Sequence, residues 1–142
     1  MGAMENVGCV TYNEAYLFRG QAKTKAKTLK FCNTNLHELS HMWFGNLVTM
    51  KWWNDLWLKE SFADYCACMC IEAISPQFKS TIYNVEQPWL KYLFEALDED
   101  TLTTTHPIQV DVRDTNDAAN VFDKICYRKG AIFIRQLTYY LG

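Results

Sequence analysis

Two histidines flanking a glutamate, His37-Glu38-Leu39-Ser40-His41, and a later acid, Glu60, are the residues best suited to do chemistry in this chain. On a helix, positions four apart rise about 6 Å and turn only about 40° relative to one another. Both imidazoles can therefore close on one metal ion. Glu38 lies about 100° round from His37 and about 60° from His41. That sets its carboxylate beside the metal rather than on it, where it can take a proton from a water that the metal activates. The pattern is the H-E-x-x-H of zinc proteases. A catalytic zinc keeps three protein ligands and one open position, commonly in a His, His, Glu set. Glu60, separated from His41 by eighteen residues, is the natural third ligand. The interval suits a helix, a turn and the start of a second helix folding back.

The bland alternative for such a pair is two packed or surface histidines on a helix face. Against it, the chain has only three histidines and two of them fall in the motif. The expected cofactor is one Zn2+ per chain, held by His37, His41 and Glu60. Zinc lowers the pKa of bound water to about 7 and polarises a scissile carbonyl. Glu38 then serves as general base and hands the proton to the leaving amine.

Two strands followed by helices must position these groups. Residues 2–6 and 9–18, with Gly8 between them, read as strands paired through a tight turn. Residues 25–44 read as the histidine-bearing helix, ended by Gly45-Asn46. Residues 48–53 read as a buried connection and 55–74 as the second helix, stopped before Pro76. Residues 77–97 suggest one or two helices broken near Pro88, and 98–117 a long polar loop. Asn116 or Asp117 can cap a helix to about Cys126, with Gly130 as a break before a last helix reaching Leu141. The fold class expected is α+β, predominantly helical, with N-terminal antiparallel strands, in a single domain over residues 1–142.

Composition narrows the partners. The net charge of −2 gives no case for nucleic acid or an anionic membrane. Lys23, Lys25, Lys27 and Lys30 form a basic cluster without interleaved aromatics, which reads as a solvated face. The longest apolar run, residues 65–71, is far too short for a membrane segment. Cys9, Cys32, Cys66, Cys68, Cys70 and Cys126 lack the spacing of a thiolate metal site and read as small apolar residues in a reducing compartment. No Asn-x-Ser/Thr sequon occurs, which favours a cytoplasmic location. At 49% hydrophobic residues and five tryptophans, material for a core is abundant.

An ordered set of motifs extends over nearly the whole length. Gly2-Ala3-Met4-Glu5-Asn6 comes first, then His37 to Asn46, then Trp57-Leu58-Lys59-Glu60-Ser61-Phe62-Ala63. Thr105-His106-Pro107-Ile108 and the segment from Phe122 to Ala131 follow. The set resembles the zinc aminopeptidases of the aminopeptidase N and puromycin-sensitive type, a gluzincin family. The resemblance implies a thermolysin-like catalytic domain, here a fragment of a longer chain and, in isolation, a weak or inactive one. It implies that Gly2, Ala3, Met4, Glu5 and Asn6 form the substrate-binding strand. Within it, Glu5 would bind the free α-amine of a peptide substrate and so impose removal of single N-terminal residues. It also implies that Tyr127 is the phenol that stabilises the oxyanion. The chain departs from the family pattern at Val7, where Trp is usual, at Lys59, where Asn is commoner, and at Arg128 in the Tyr-x-Lys-Gly box.

Two further residues deserve weighing. Asp64, one turn beyond Glu60, could accept a hydrogen bond from a ligating histidine or be an ordinary helix-surface acid. His106, in a loop before proline, reads as structural. Two alternatives to an aminopeptidase remain. A leukotriene-A-hydrolase-like enzyme typically has Gly where Ala3 stands, and a non-catalytic derivative of the fold usually loses a ligand or the base.

Overall fold

The structure, a computed structural model, describes residues 2–20, 24–74 and 87–142. It is predominantly helical with one two-stranded antiparallel sheet. The strands β1, Ala3–Met4, and β2, Thr11–Tyr12, pair Ala3 with Tyr12 and Met4 with Thr11. Both are much shorter than the sequence suggests. Asn13 ends the second early, because its side chain accepts from the Ala15 N–H and starts a 3-10 turn at Glu14–Tyr16. The hairpin leans on the first helix through Tyr12, which donates to Asn35 at 2.6 Å, and through Tyr16 and Thr34, whose hydroxyls lie 3.0 Å apart.

Helix α1, Lys25–Ser40, starts at Thr24, whose hydroxyl accepts from the Lys27 N–H. It stops four residues before the expected end. Met42 and Trp43 turn tightly onto Leu39 and Ser40, and Gly45 then takes φ 132°, which L side chains rarely adopt. That glycine also sits against the site, since a Cβ on it would come 3.0 Å from His41 Nδ1 and 3.4 Å from Lys59 Cδ. The connection over residues 48–53 is not buried as expected. Val48 is 63% and Trp52 49% exposed. Trp52 is held by its indole N–H, which bonds the Val112 carbonyl at 2.6 Å, rather than by enclosure.

Helix α2, Leu56–Ile74, is the central element, with α1, α5 and the segment before α5 packed around it. Helix α3 covers Gln87–Asp100; residues 77–86 of the helical region expected over 77–97 lie outside the described residues, as does Lys23. Helix α4 is Thr115–Asn120. Its cap is Asp114, ahead of the expected Asn116 or Asp117, and its carboxylate accepts from the N–H groups of those two residues. It ends well short of Cys126.

The chain then makes a π-helical turn, Ile125–Lys129, running directly into α5, Gly130–Leu141. Gly130 was expected to break the helix, but its φ and ψ of −64° and −42° are helical. The residue is glycine for space: a Cβ would lie 1.9 Å from Ser61 Oγ. Ser61, fully buried, donates at 2.6 Å to the Cys126 carbonyl inside the π turn. One core cluster joins Leu56, Val112, Ala118, Val121 and Cys126; another joins Cys68, Trp89, Tyr92 and Ala131. The six cysteines are free thiols. Among the described residues no helix is long and apolar enough to cross a membrane.

Candidate active site

The last turn of α1 meets the first turns of α2, and that crossing brings His37, His41 and Glu60 together. All three are buried. The Nε2 atoms of His37 and His41 are 3.0 Å apart, and each lies 3.3 Å from Glu60 Oε2. A tetrahedral ion with bonds of about 2.0–2.1 Å spaces its ligands about 3.3–3.4 Å from one another. The triangle therefore has the dimensions of a metal's coordination face.

The outer nitrogens fix which lone pairs face the centre. His41 Nδ1 lies 2.8 Å from the Phe44 carbonyl, which can only accept, so Nδ1 carries the proton. His37 Nδ1 lies 2.9 Å from Asp64 Oδ1 and donates in the same way. Neutral imidazoles so arranged point two Nε2 lone pairs at each other and at a carboxylate oxygen. Glu60 Oε2 is buried without a hydrogen-bond partner. A metal ion, or a proton on one of the imidazoles, satisfies such a set.

The titration of these groups carries the same message. Burial opposes charge on His37, yet the hydrogen bond to Asp64 and the Glu60 carboxylate 3.3 Å away outweigh it and hold the imidazole's pKa up at about 10. Burial would likewise raise Glu60, but the adjoining His37 and His41 imidazoles and the Lys59 charge hold it well below the carboxylate range. Positive charge is strongly favoured at the centre of the cluster.

Glu38 stands beside this triangle, not in it. It is buried, and its Oε2 has no hydrogen-bond partner. Burial raises its pKa against the pull of His37 and His41, and the charges of Glu5 and Glu60 add to the rise. The Tyr127 ring stacks on His37, with centroids 5.9 Å apart and planes 23° apart. Burial and the Glu60 carboxylate push its phenol far above its ordinary value, so it stays a donor.

The amino-terminal strand reaches the same place. Ligand-capable atoms of Glu5, Glu38 and His41 lie within 4.8 Å of one another. Asn46, in the turn after α1, donates to the Glu5 carbonyl at 2.8 Å and fastens β1 to that turn. The Glu5 carboxylate is already paired, with the Lys59 ammonium. Gly2 and Ala3 line a pocket of about 880 Å³ together with His37, Glu38, Tyr127 and Arg128. Met4 pairs with Thr11, and the Asn6 amide donates to the Thr11 hydroxyl; neither side chain lines that pocket.

Arg128 is the residue whose part sequence reasoning missed. It ion-pairs with Asp64, donates to Glu95 at 3.0 Å and lies over the Tyr92 ring at 4.1 Å. Tyr92 also donates to Asp64 Oδ1 at 3.3 Å. Asp64 is thus pinned from two sides while it holds His37. The signal available was an acid on a buried helix face, which requires a countercharge. His106 sits apart: its Nε2 contacts Asp123 Oδ2 at 2.5 Å and ties the preceding loop to the π turn.

The profile of the Peptidase family M1 domain matches residues 1–142. The chain is similar to an aminopeptidase N of Streptomyces lividans, 45% identical over 99% of this chain and 16% of that protein. It is 41% identical to a leucyl aminopeptidase of Saccharolobus solfataricus, over 99% of this chain and 18% of the relative. It is 43% identical to a puromycin-sensitive aminopeptidase of Caenorhabditis elegans, over 100% of this chain and 15% of that relative. The chain therefore spans less than a fifth of the length of these relatives. With its donor triangle, adjacent carboxylate and matching sequence from end to end, the chain belongs to peptidase family M1.

Proposed function

We propose that residues 1–142 form the zinc-binding part of a thermolysin-like catalytic domain. In this reading it removes the N-terminal residue from peptides. His37, His41 and Glu60 would hold one zinc ion. Bound there, zinc supplies Lewis acidity, polarising a carbonyl and lowering the pKa of water to about 7.

The chain's own residues account for the rest. Glu38 offers its unpartnered Oε2 to take a proton from the attacking water and return it to the leaving amine. Tyr127 donates its O–H to the carbonyl oxygen as negative charge develops there. Asp64 and the Phe44 carbonyl keep both imidazoles in the tautomer that turns Nε2 inward. Glu5 receives the α-ammonium, and β1 pairs with the extended peptide. An acid fixed beside the reacting centre admits one residue before the cleaved bond. Ala3, where the leukotriene-A-hydrolase branch has Gly, favours the peptidase. The six free thiols support a reducing compartment such as the cytosol.

The observation that carries this reading is the triangle of inward-facing donors with a buried, free carboxylate oxygen at its side. The test is hydrolysis of matched peptides with free and N-acetylated termini by the full-length protein carrying this chain. Release of single residues from the free peptides alone is expected. Cleavage of blocked peptides at internal bonds at similar rates refutes the exopeptidase assignment.

A further inference from the structure

The Glu5 carboxylate that would receive the amine already has a partner. Lys59 donates to Glu5 Oε1 and lies 3.2 Å from Glu60 Oε1. Both side chains are largely enclosed, Lys59 at 14% and Glu5 at 13% exposure. The lysine stem lies near the Gly45 turn, and its ammonium sits between the Glu5 and Glu60 carboxylates. Glu60 is thereby split between two tasks, with Oε2 facing the histidines and Oε1 facing Lys59.

We propose that Lys59 is a specificity-determining residue whose ammonium competes with the substrate's α-ammonium for Glu5. The inference rests on the aminopeptidase reading. The charges carry it. Glu5, Glu38 and Glu60 with a divalent ion leave one net negative charge to attract an incoming ammonium; Lys59 cancels it. A substrate amine must then displace Lys59 or share one carboxylate with a like charge a few ångströms away. Either route weakens amine binding, by about tenfold for a partly screened unit charge at such a separation.

The experiment uses leucinol, a free amine with no bond to cleave, and N-acetyl-leucinol. Calorimetry measures their binding to the full-length protein, zinc-loaded and metal-depleted. Lys59→Met, Lys59→Gln and Lys59→Asn provide three neutral replacements, so a folding defect in one does not silence the test. Each folded variant should bind leucinol about tenfold more tightly and N-acetyl-leucinol no better. In a Glu5→Gln background the gain should vanish. Unchanged or weaker leucinol binding in the neutral variants overturns the proposal, and weaker binding makes Lys59 a positioning residue for Glu5 instead. If the unmodified protein binds both ligands equally, the amine reading of Glu5 itself fails.

Discussion

Gly130→Ala is the sharpest probe of how the fold aims Tyr127. The new Cβ would meet Ser61 Oγ at 1.9 Å and Ser61 Cβ at 2.8 Å, both beyond what neighbours tolerate. Ser61 is fully buried and cannot swing away without releasing the Cys126 carbonyl it holds at 2.6 Å. Overpacking of a tight core costs about 1–3 kcal/mol. Leaving that carbonyl unpaired costs about 1–3 kcal/mol more. Alanine's better helix propensity offsets about 1 kcal/mol. The expected net loss is about 1–5 kcal/mol, read from urea midpoints at unchanged slope. Ser61→Gly combined with Gly130→Ala relieves the clash but leaves the Cys126 carbonyl unpaired and puts a glycine inside α2, so it should recover only part of the loss. Metal content should survive in Gly130→Ala, because the ligands lie on α1 and α2, while turnover falls as Tyr127 moves. A stability equal to or above the parent's would refute the argument that close packing, and not helix breaking, requires glycine here.

Glu38→Gln should keep stoichiometric zinc by elemental analysis and lose about 100-fold to 10,000-fold in turnover. His41→Ala should abolish stoichiometric zinc; unchanged metal content would remove His41 from the ligand set. Asp64→Asn should weaken zinc binding about 10-fold to 100-fold in competition with a chelator, since it loosens the anchor of His37. His106 is held above its ordinary pKa, because bonding to Asp123 and the Pro107 carbonyl outweighs burial. Its contribution to stability is therefore full below the unfolded value of about 6.5 and lost as pH rises through the raised folded value. His106→Gln should flatten that part of the profile of urea midpoint against pH, and an unaltered slope would exclude the pair as its source.

The metal triangle was readable because helical periodicity is rigid: residues 37 and 41 share a face whatever surrounds them. The start of α2 was equally plain, and with it the position of Glu60. Other features lay outside what local pattern encodes. A π turn has no compositional mark, since it depends on which distant group takes up the displaced carbonyl, here Ser61 across the core. Gly130 looked like a helix breaker because glycine usually is one; its neighbour came from α2, about seventy residues earlier in the chain. Residues 48–53 looked buried by composition, yet Trp52 is placed by one polar contact. Arg128 could be noticed as an unusual residue, but its partners Asp64, Glu95 and Tyr92 come from two other helices.

The π turn also sets the angular offset between two contacts that an ordinary helix would place differently. In an uninterrupted α-helix, Tyr127 and Gly130 would keep the ordinary helical phase. The extra residue in Ile125–Lys129 acts as a vernier between them. Removing it would restore a regular helix and rotate everything before it by about 100°. Gly130 would stay seated on Ser61 while the phenol left its stack on His37. The aim of the phenol is thus adjustable by one residue of length at a point that leaves the seam between α2 and α5 untouched.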